Sequence, residues 1–250
     1  MNATFHNGNV EIAYLDEGEG DPIVLVHGFA SNKEANWIAP GWTSTLVSSG
    51  RRVIALDDRG HGQSSKLYDP AEYHTSRMAD DVRALLDYLK IQRADVMGYS
   101  MGARITAFLS FEHPARVRCA ILGGLGSHLI DKVGLPMSIA DAMEAPSVAD
   151  IKDINGQIFR KFAEQTKSDL RALAACIRGS RQTLTREQIA TIDIPVLVAI
   201  GTKDHVAGSA SELAAIFPNG RALDIPGRDH MLAVGDKVYK QGVLEFLSEQ

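Results

Sequence analysis

Short apolar runs recur along the chain, each emptying into glycine or polar residues, and between them lie stretches whose apolar positions return every three to four residues. Residues 22–26 and 52–56 are near-continuous apolar runs, the pattern of strands buried on both faces of a parallel sheet. Residues 94–97, 117–123 and 194–200 repeat that pattern, and 221–225 reads as a further strand. A turn at Asn7-Gly8-Asn9 between extended runs predicts an N-terminal hairpin over 5–15. Over 75–89, Met78, Val82, Leu85, Leu86 and Leu89 form one helical stripe with charges opposite. Further helices are expected at 42–48, 103–109, 211–217 and 237–247. Alternating strand and helix predict an α/β fold: a mostly parallel, doubly wound sheet with right-handed crossovers.

From 127 to 192 the rhythm breaks. Apolar patches at 129–130, 135–137, 158–159 and 170–177 are spaced for helices, with no evident strand. Lying between the sixth and seventh predicted strands, the segment reads as a small helical cap over the mouth of the sheet. The alternative is one crossover helix with surface elaboration. A single domain over 1–250, with 127–192 as its cap, is the expectation.

Composition narrows the function classes. At 250 residues, 45% hydrophobic and 23% charged, the chain can bury a substantial core without disulfides or metals. A net charge of −5 with scattered basic residues excludes a basic nucleic-acid surface or a membrane-docking helix. Cys119 and Cys176 lack metal-type spacing and read as buried thiols of a reducing compartment. The first eight residues lack the basic and apolar regions of a signal peptide, and no apolar run is long enough to span a membrane. A soluble cytoplasmic protein is the expectation, and oligomeric state leaves no mark in the sequence.

Candidate chemistry centres on Gly98-Tyr99-Ser100-Met101-Gly102, set between a predicted strand and a predicted helix. A bare G-x-S-x-G arises by chance in roughly one chain in ten of this length at average usage, so its setting decides. A tight strand-to-helix turn removes neighbouring side chains by using glycine. It presents the serine hydroxyl and places the Met101 N–H to receive an oxyanion. In an open parallel sheet, ligands sit at the carboxyl ends of the strands. What the strands deliver there is His27-Gly28-Phe29, a polar loop over 57–64, Ser100, Gly201-Thr202-Lys203-Asp204, and Gly227-Arg228-Asp229-His230. Serine, acid and histidine thus follow in chain order, each just beyond a strand.

On these residues, over nearly its whole length, the chain resembles the α/β-hydrolase superfamily, in its serine-nucleophile branch. The resemblance implies Ser100 as nucleophile, Asp204 as acid and His230 as base, with Phe29 and Met101 donating backbone N–H groups to the oxyanion. Asp57-Asp58-Arg59-Gly60-His61-Gly62-Gln63-Ser64 is similar to the family's second-strand loop. Some members take their acid after the sixth strand, but Gly123-Gly124-Leu125-Gly126 carries no carboxylate. Asp229 adjoins His230, and adjacent residues seldom orient each other's rings, so Asp204 is preferred.

Asp57 is expected to fix its loop backbone and Arg59 to form a structural pair. His27 and His61 share a polar rim that could suggest a metal site, but lacking a third ligand of suitable spacing they are read as hydrogen-bonding residues. His6, His74, His113, His128 and His205 are read as surface or capping residues, and Trp37 and Trp42 as packing. Phe29, Met101, Leu125 and Met231 are expected to line the acyl pocket. No metal or cofactor is called for.

The expected function is hydrolysis of small to medium hydrophobic carboxylic esters through an acyl-serine, as in the small carboxylesterases and enol-lactone hydrolases this chain is similar to. Alternatives are a lactonase or carbon–carbon bond hydrolase of a catabolic pathway, and a slow-turnover ligand receptor on the same fold.

Overall fold

The computed structural model describes residues 2–131 and 134–250, so Met1 and, within the predicted cap, Lys132 and Val133 lie outside the described residues. Eight strands form one sheet: β1 (Asn2–Asn7), β2 (Val10–Glu17), β3 (Asp21–Val26), β4 (Arg51–Leu56), β5 (Ala94–Tyr99), β6 (Val117–Gly123), β7 (Val196–Gly201) and β8 (Gly220–Ile225). Their order is β1-β2-β4-β3-β5-β6-β7-β8. The hairpin partners β1 and β2, and the β2–β4 pair, are antiparallel; every other pairing is parallel.

Alternation along β3 shows why these apolar runs form strands. Ile23 and Leu25 enter one core, Val24 and Val26 the other, and all four are fully buried. Helices α1 (Trp42–Ser48) and, at the chain's end, α9 (Lys237–Ser248) pack on the first face. The opposite face takes α2 (Thr75–Tyr88), α3 (Met101–Glu112) and α8 (Ala210–Ala214).

Between β6 and β7 the described residues carry α4 (Ser138–Glu144), α5 (Ile154–Gln165), α6 (Leu170–Gly179) and α7 (Arg186–Ala190), and no strand. Apolar residues of α4, α5 and α6 join the core that α2 and α3 share. Among the described residues, no helix is long and apolar enough to cross a membrane.

Two boundaries differ from the sequence pattern in a telling way. β5 runs on through Gly98 and Tyr99, which still pair with Leu122 and Gly123, and α3 begins at Met101. Strand passes to helix across Ser100 alone. A π-helical turn over Glu34–Ile38, unannounced by any periodicity, follows the β3 loop and buries Asn36 and Trp37.

Candidate active site

Ser100 sits at φ 54° and ψ −110°, a region that L-residues avoid and that persists only where the surroundings enforce it. Its N–H donates to the Gly123 carbonyl at 2.7 Å, tying the turn to the end of β6. The glycines two residues before and after it are there for close approach. A methyl group on Gly98 would lie 2.1 Å from the Gly102 carbonyl oxygen, and one on Gly102 would lie 2.0 Å from that of Val26. The start of α3 is therefore pressed against the carboxyl end of β3, and the β3 loop lies beside the serine. A methyl on Gly28 would stand 3.5 Å from the Ser100 Cβ. Met101, the first residue of α3, has an N–H that no intrahelical carbonyl can receive.

Three strand ends bring the polar side chains together. His230 Nε2 lies 2.9 Å from Ser100 Oγ, and His230 Nδ1 lies 2.7 Å from Asp204 Oδ2. The other Asp204 oxygen accepts the N–H groups of Val206 (2.8 Å) and Ala207 (3.1 Å), so its carboxylate is fixed before it meets the ring. The Tyr99 hydroxyl donates to the His230 carbonyl at 2.6 Å, binding the elbow strand to the histidine loop. Asp229 turns away: its Oδ1 accepts the N–H groups of Met231 and Leu232 and shapes the backbone after His230.

The loop after β4 departs from its sequence reading. His27 and His61, expected on a polar rim, are fully buried, because the glycine-rich stretch folds inward under Phe29. The His27 Nδ1 faces the Gly28 carbonyl at 2.8 Å, while Nε2 accepts the Asp58 N–H at 3.0 Å. Both nitrogens are engaged, with the proton on Nδ1. Burial accordingly lowers the His27 pKa, and it pushes that of His61 down to about 3, helped by the neighbouring His27. Asp57 holds the loop as expected, accepting from the Lys33 N–H, the Lys33 ammonium and the Gln63 N–H at 2.8–2.9 Å. Arg59 forms a two-pronged pair with Asp81, at 2.7 Å on each prong.

Two cavities flank Ser100, not the single pocket expected. The larger, about 160 Å³, contains His230 and Met231; the smaller, about 60 Å³, contains Met101 and Leu125; Phe29 and Ser100 line both. Met231 thus stands on the opposite side of the serine from Leu125. The packing of residues 134–181 creates this division, with Phe159 and Phe162 from α5 in the larger wall and Leu135, Ile177, Ser180 and Arg181 in the smaller.

Several residues of the site escaped the sequence reading. Asn36 accepts the Gly28 N–H at 3.1 Å and lines the larger cavity. Arg104, inside the helix predicted over 103–109, lines the smaller one with His128. A charge inside an otherwise apolar stretch was the available signal for Arg104. Trp37 and Trp42 are fully buried packing residues, and Cys119 and Cys176 are buried free thiols.

A neutral imidazole in contact with a hydroxyl, and held on its far side by a carboxylate, can remove the hydroxyl proton as the oxygen attacks carbon. Comparison with known proteins places this arrangement in context. The non-heme chloroperoxidase CPO-A1 of Kitasatospora aureofaciens is 28% identical, over 96% of this chain and 97% of its own length. The enol-lactonase of Burkholderia xenovorans LB400 has a TM-score of 0.80 at 22% identity, covering 98% of this chain and 100% of that one. A bromoperoxidase of Bacillus anthracis has a TM-score of 0.76 at 23% identity, covering 99% and 100%. At these identities the two structures speak for the fold. Residues 21–145 match the sequence profile described as alpha/beta hydrolase fold, and the chain belongs to that family.

Proposed function

We propose that this protein is a serine hydrolase that cleaves carboxylic esters through an acyl-serine intermediate. The observation that carries the proposal is the unbroken contact from Asp204 through His230 to Ser100. His230 Nε2 takes the Ser100 proton as Oγ bonds to the ester carbon. Charge gathering on the carbonyl oxygen meets the backbone N–H groups of Phe29 and Met101. His230 then returns the proton to the leaving alkoxide, and water repeats the cycle on the acyl-serine. Asp204 holds the ring tautomer and stabilises the imidazolium.

Two cavities meeting at the serine favour an open-chain ester, whose acyl and alcohol parts diverge from the reacting carbon. A lactone carries both parts in one ring and needs one cavity. In this reading residues 127–192 act as a cap that shapes both sides.

Turnover of short p-nitrophenyl esters tests the proposal. Ser100→Ala is expected to abolish it in a protein of unchanged circular dichroism. Asp204→Asn should lower kcat by about 10⁴-fold, because the wrong tautomer is then favoured, whereas Asp229→Asn should retain activity. Inactivity of the wild-type protein on a broad ester panel, or full activity in Ser100→Ala, would overturn it.

A further inference from the structure

The larger cavity at Ser100 is walled mainly by Ala35, Pro40, Phe159, Phe162, Met231 and Val234, with His230 beside them. Because His230 must hand its proton to the leaving oxygen, the alcohol part of an ester belongs in that cavity. The polar side chains of the wall are those of Ser31, Asn36, Tyr99, Ser100 and His230. Ser100 and His230 serve the proposed chemistry, and the Tyr99 hydroxyl is committed to the His230 carbonyl. A serine hydroxyl such as that of Ser31 can donate or accept, so it selects for neither. Asn36 is different.

Asn36 is 5% exposed, and its Oδ1 accepts the Gly28 N–H at 3.1 Å. That bond fixes the amide, since the flipped orientation would set donor against donor. Nδ2 is then the free arm, able only to donate. Among the described residues, five buried side-chain nitrogen and oxygen atoms make no hydrogen bond. Asn36 Nδ2 is the one that belongs to a wall residue of either cavity at Ser100. A buried donor is costly unless something accepts from it. The π-helical turn over Glu34–Ile38 holds the amide in place: the Asn36 N–H donates to the Asn32 carbonyl at 2.9 Å, and Trp37 is fully buried. The amide also stands close to the reacting centre. A methyl group on Gly28 would lie 3.5 Å from the Ser100 Cβ and 3.7 Å from Asn36 Oδ1.

We infer that Asn36 Nδ2 is a specificity-determining donor for the alcohol part of the substrate, and that the favoured ester carries an acceptor oxygen a few bonds beyond its ester oxygen. The assignment rests on the acyl-serine chemistry proposed above. A mostly apolar wall with one fixed donor matches an ether or carbonyl oxygen set in a short hydrocarbon arm. An arm of hydrocarbon alone leaves Nδ2 unpaired. The cavity, about 160 Å³, takes an arm of this size.

The test compares kcat/KM within two pairs of equal length: 2-methoxyethyl against n-butyl butanoate, and 3-methoxypropyl against n-pentyl butanoate. Dividing each ratio by that for hydroxide-catalysed hydrolysis removes the inductive effect of the ether. At least one ether ester is expected to exceed its alkyl partner by about tenfold. Asn36→Asp keeps the acceptor for the Gly28 N–H and removes the donor, and Asn36→Ala removes both without adding charge. In each variant the ratio should fall by about tenfold. Because each ratio is taken within one variant, changes in folded fraction or in the loop around Gly28 cancel. Alkyl esters matching the ether esters in the wild type would overturn the assignment. So would a ratio unmoved in Asn36→Ala, since a fall confined to Asn36→Asp is charge repulsion alone. Should no ester turn over, the hydrolase proposal fails by itself and the donor is read by binding. Calorimetric titration of the same pairs into Ser100→Ala protein should then show tighter binding of an ether ester, lost in Ser100→Ala/Asn36→Ala. Equal binding within both pairs, or no binding, would overturn the assignment independently.

Discussion

His61 is the residue whose environment departs most from its sequence reading, and its burial has a measurable cost. Its pKa, 6.5 for the free group, falls to about 3 in the fold through burial and then through the neighbouring His27, which could not share a second positive charge. Below pH 6.5 the unfolded chain takes up a proton that the folded chain refuses, so stability is lost as pH falls from about 6.5 towards 3. At pH 5 the loss attributable to His61 is about 2 kcal/mol. Asp58, raised by burial and then by Asp81 and Asp57, acts in the opposite sense over this range, so a mutant comparison is the readout. In denaturant titrations at pH 7.5 and pH 5, His61→Asn should lose less stability than the wild type, by that amount. Equal losses in the two proteins would show that His61 is not held neutral.

At this scale the meeting of Ser100, Asp204 and His230 was legible because each lies just beyond a strand and a parallel sheet delivers such residues to one edge. The burial of His27, Asp58 and His61 was not legible, because a polar glycine-rich loop looks solvent-exposed until its packing partners are known.

Among the elements, α4 and α5 show how a charged residue can organise a segment from inside. Asp153 caps α5 through the Gly156 N–H at 3.0 Å. Arg160, 6% exposed, reaches back to α4, donating to the carbonyls of Ala142 (2.9 Å), Met143 (3.3 Å) and Ala145 (2.8 Å). Replacing it with methionine keeps much of the volume and removes every donor to those oxygens. Arg160→Met should therefore cost about 1–3 kcal/mol, felt locally. Amide exchange followed by mass spectrometry is expected to quicken over 138–165 while β5 and β6 stay protected. Uniform quickening across the sheet would instead mean that this segment unfolds only with the whole domain.

The sequence reading of 127–192 found helices from apolar patches alone, and helices are what the described residues contain. It did not find the work of Arg160, since an arginine on an amphipathic helix ordinarily marks the solvent face. Strand order was equally hidden. Local pattern locates β4, but its seat between β2 and β3 follows from how the crossovers pack.

For the molecule as a whole, both tryptophans serve as one reporter. Trp37 and Trp42 lie in the same core, their rings 6.3 Å apart, and the Trp42 Nε1–H donates to the Val234 carbonyl at 2.7 Å. Val234 follows His230 by four residues, so this core holds the histidine loop in place. Loss of ester turnover and the change in tryptophan fluorescence should superimpose along a urea titration. Activity lost well before the fluorescence changes would locate an earlier opening above the sheet. The doubly wound architecture was legible because alternating strands and helices admit few topologies. The division of the space above Ser100 was not, because it depends on side chains from the loop after β3 and from α3, α5 and α6 meeting across the fold.

The left-handed backbone at Ser100 sets thermal persistence against turnover at a single codon. Glycine adopts φ 54° without steric penalty, so Ser100→Gly should melt a few degrees higher than the wild type, about 1 kcal/mol, while losing the proposed nucleophile. A lineage released from the proposed chemistry would gain stability from glycine at this position.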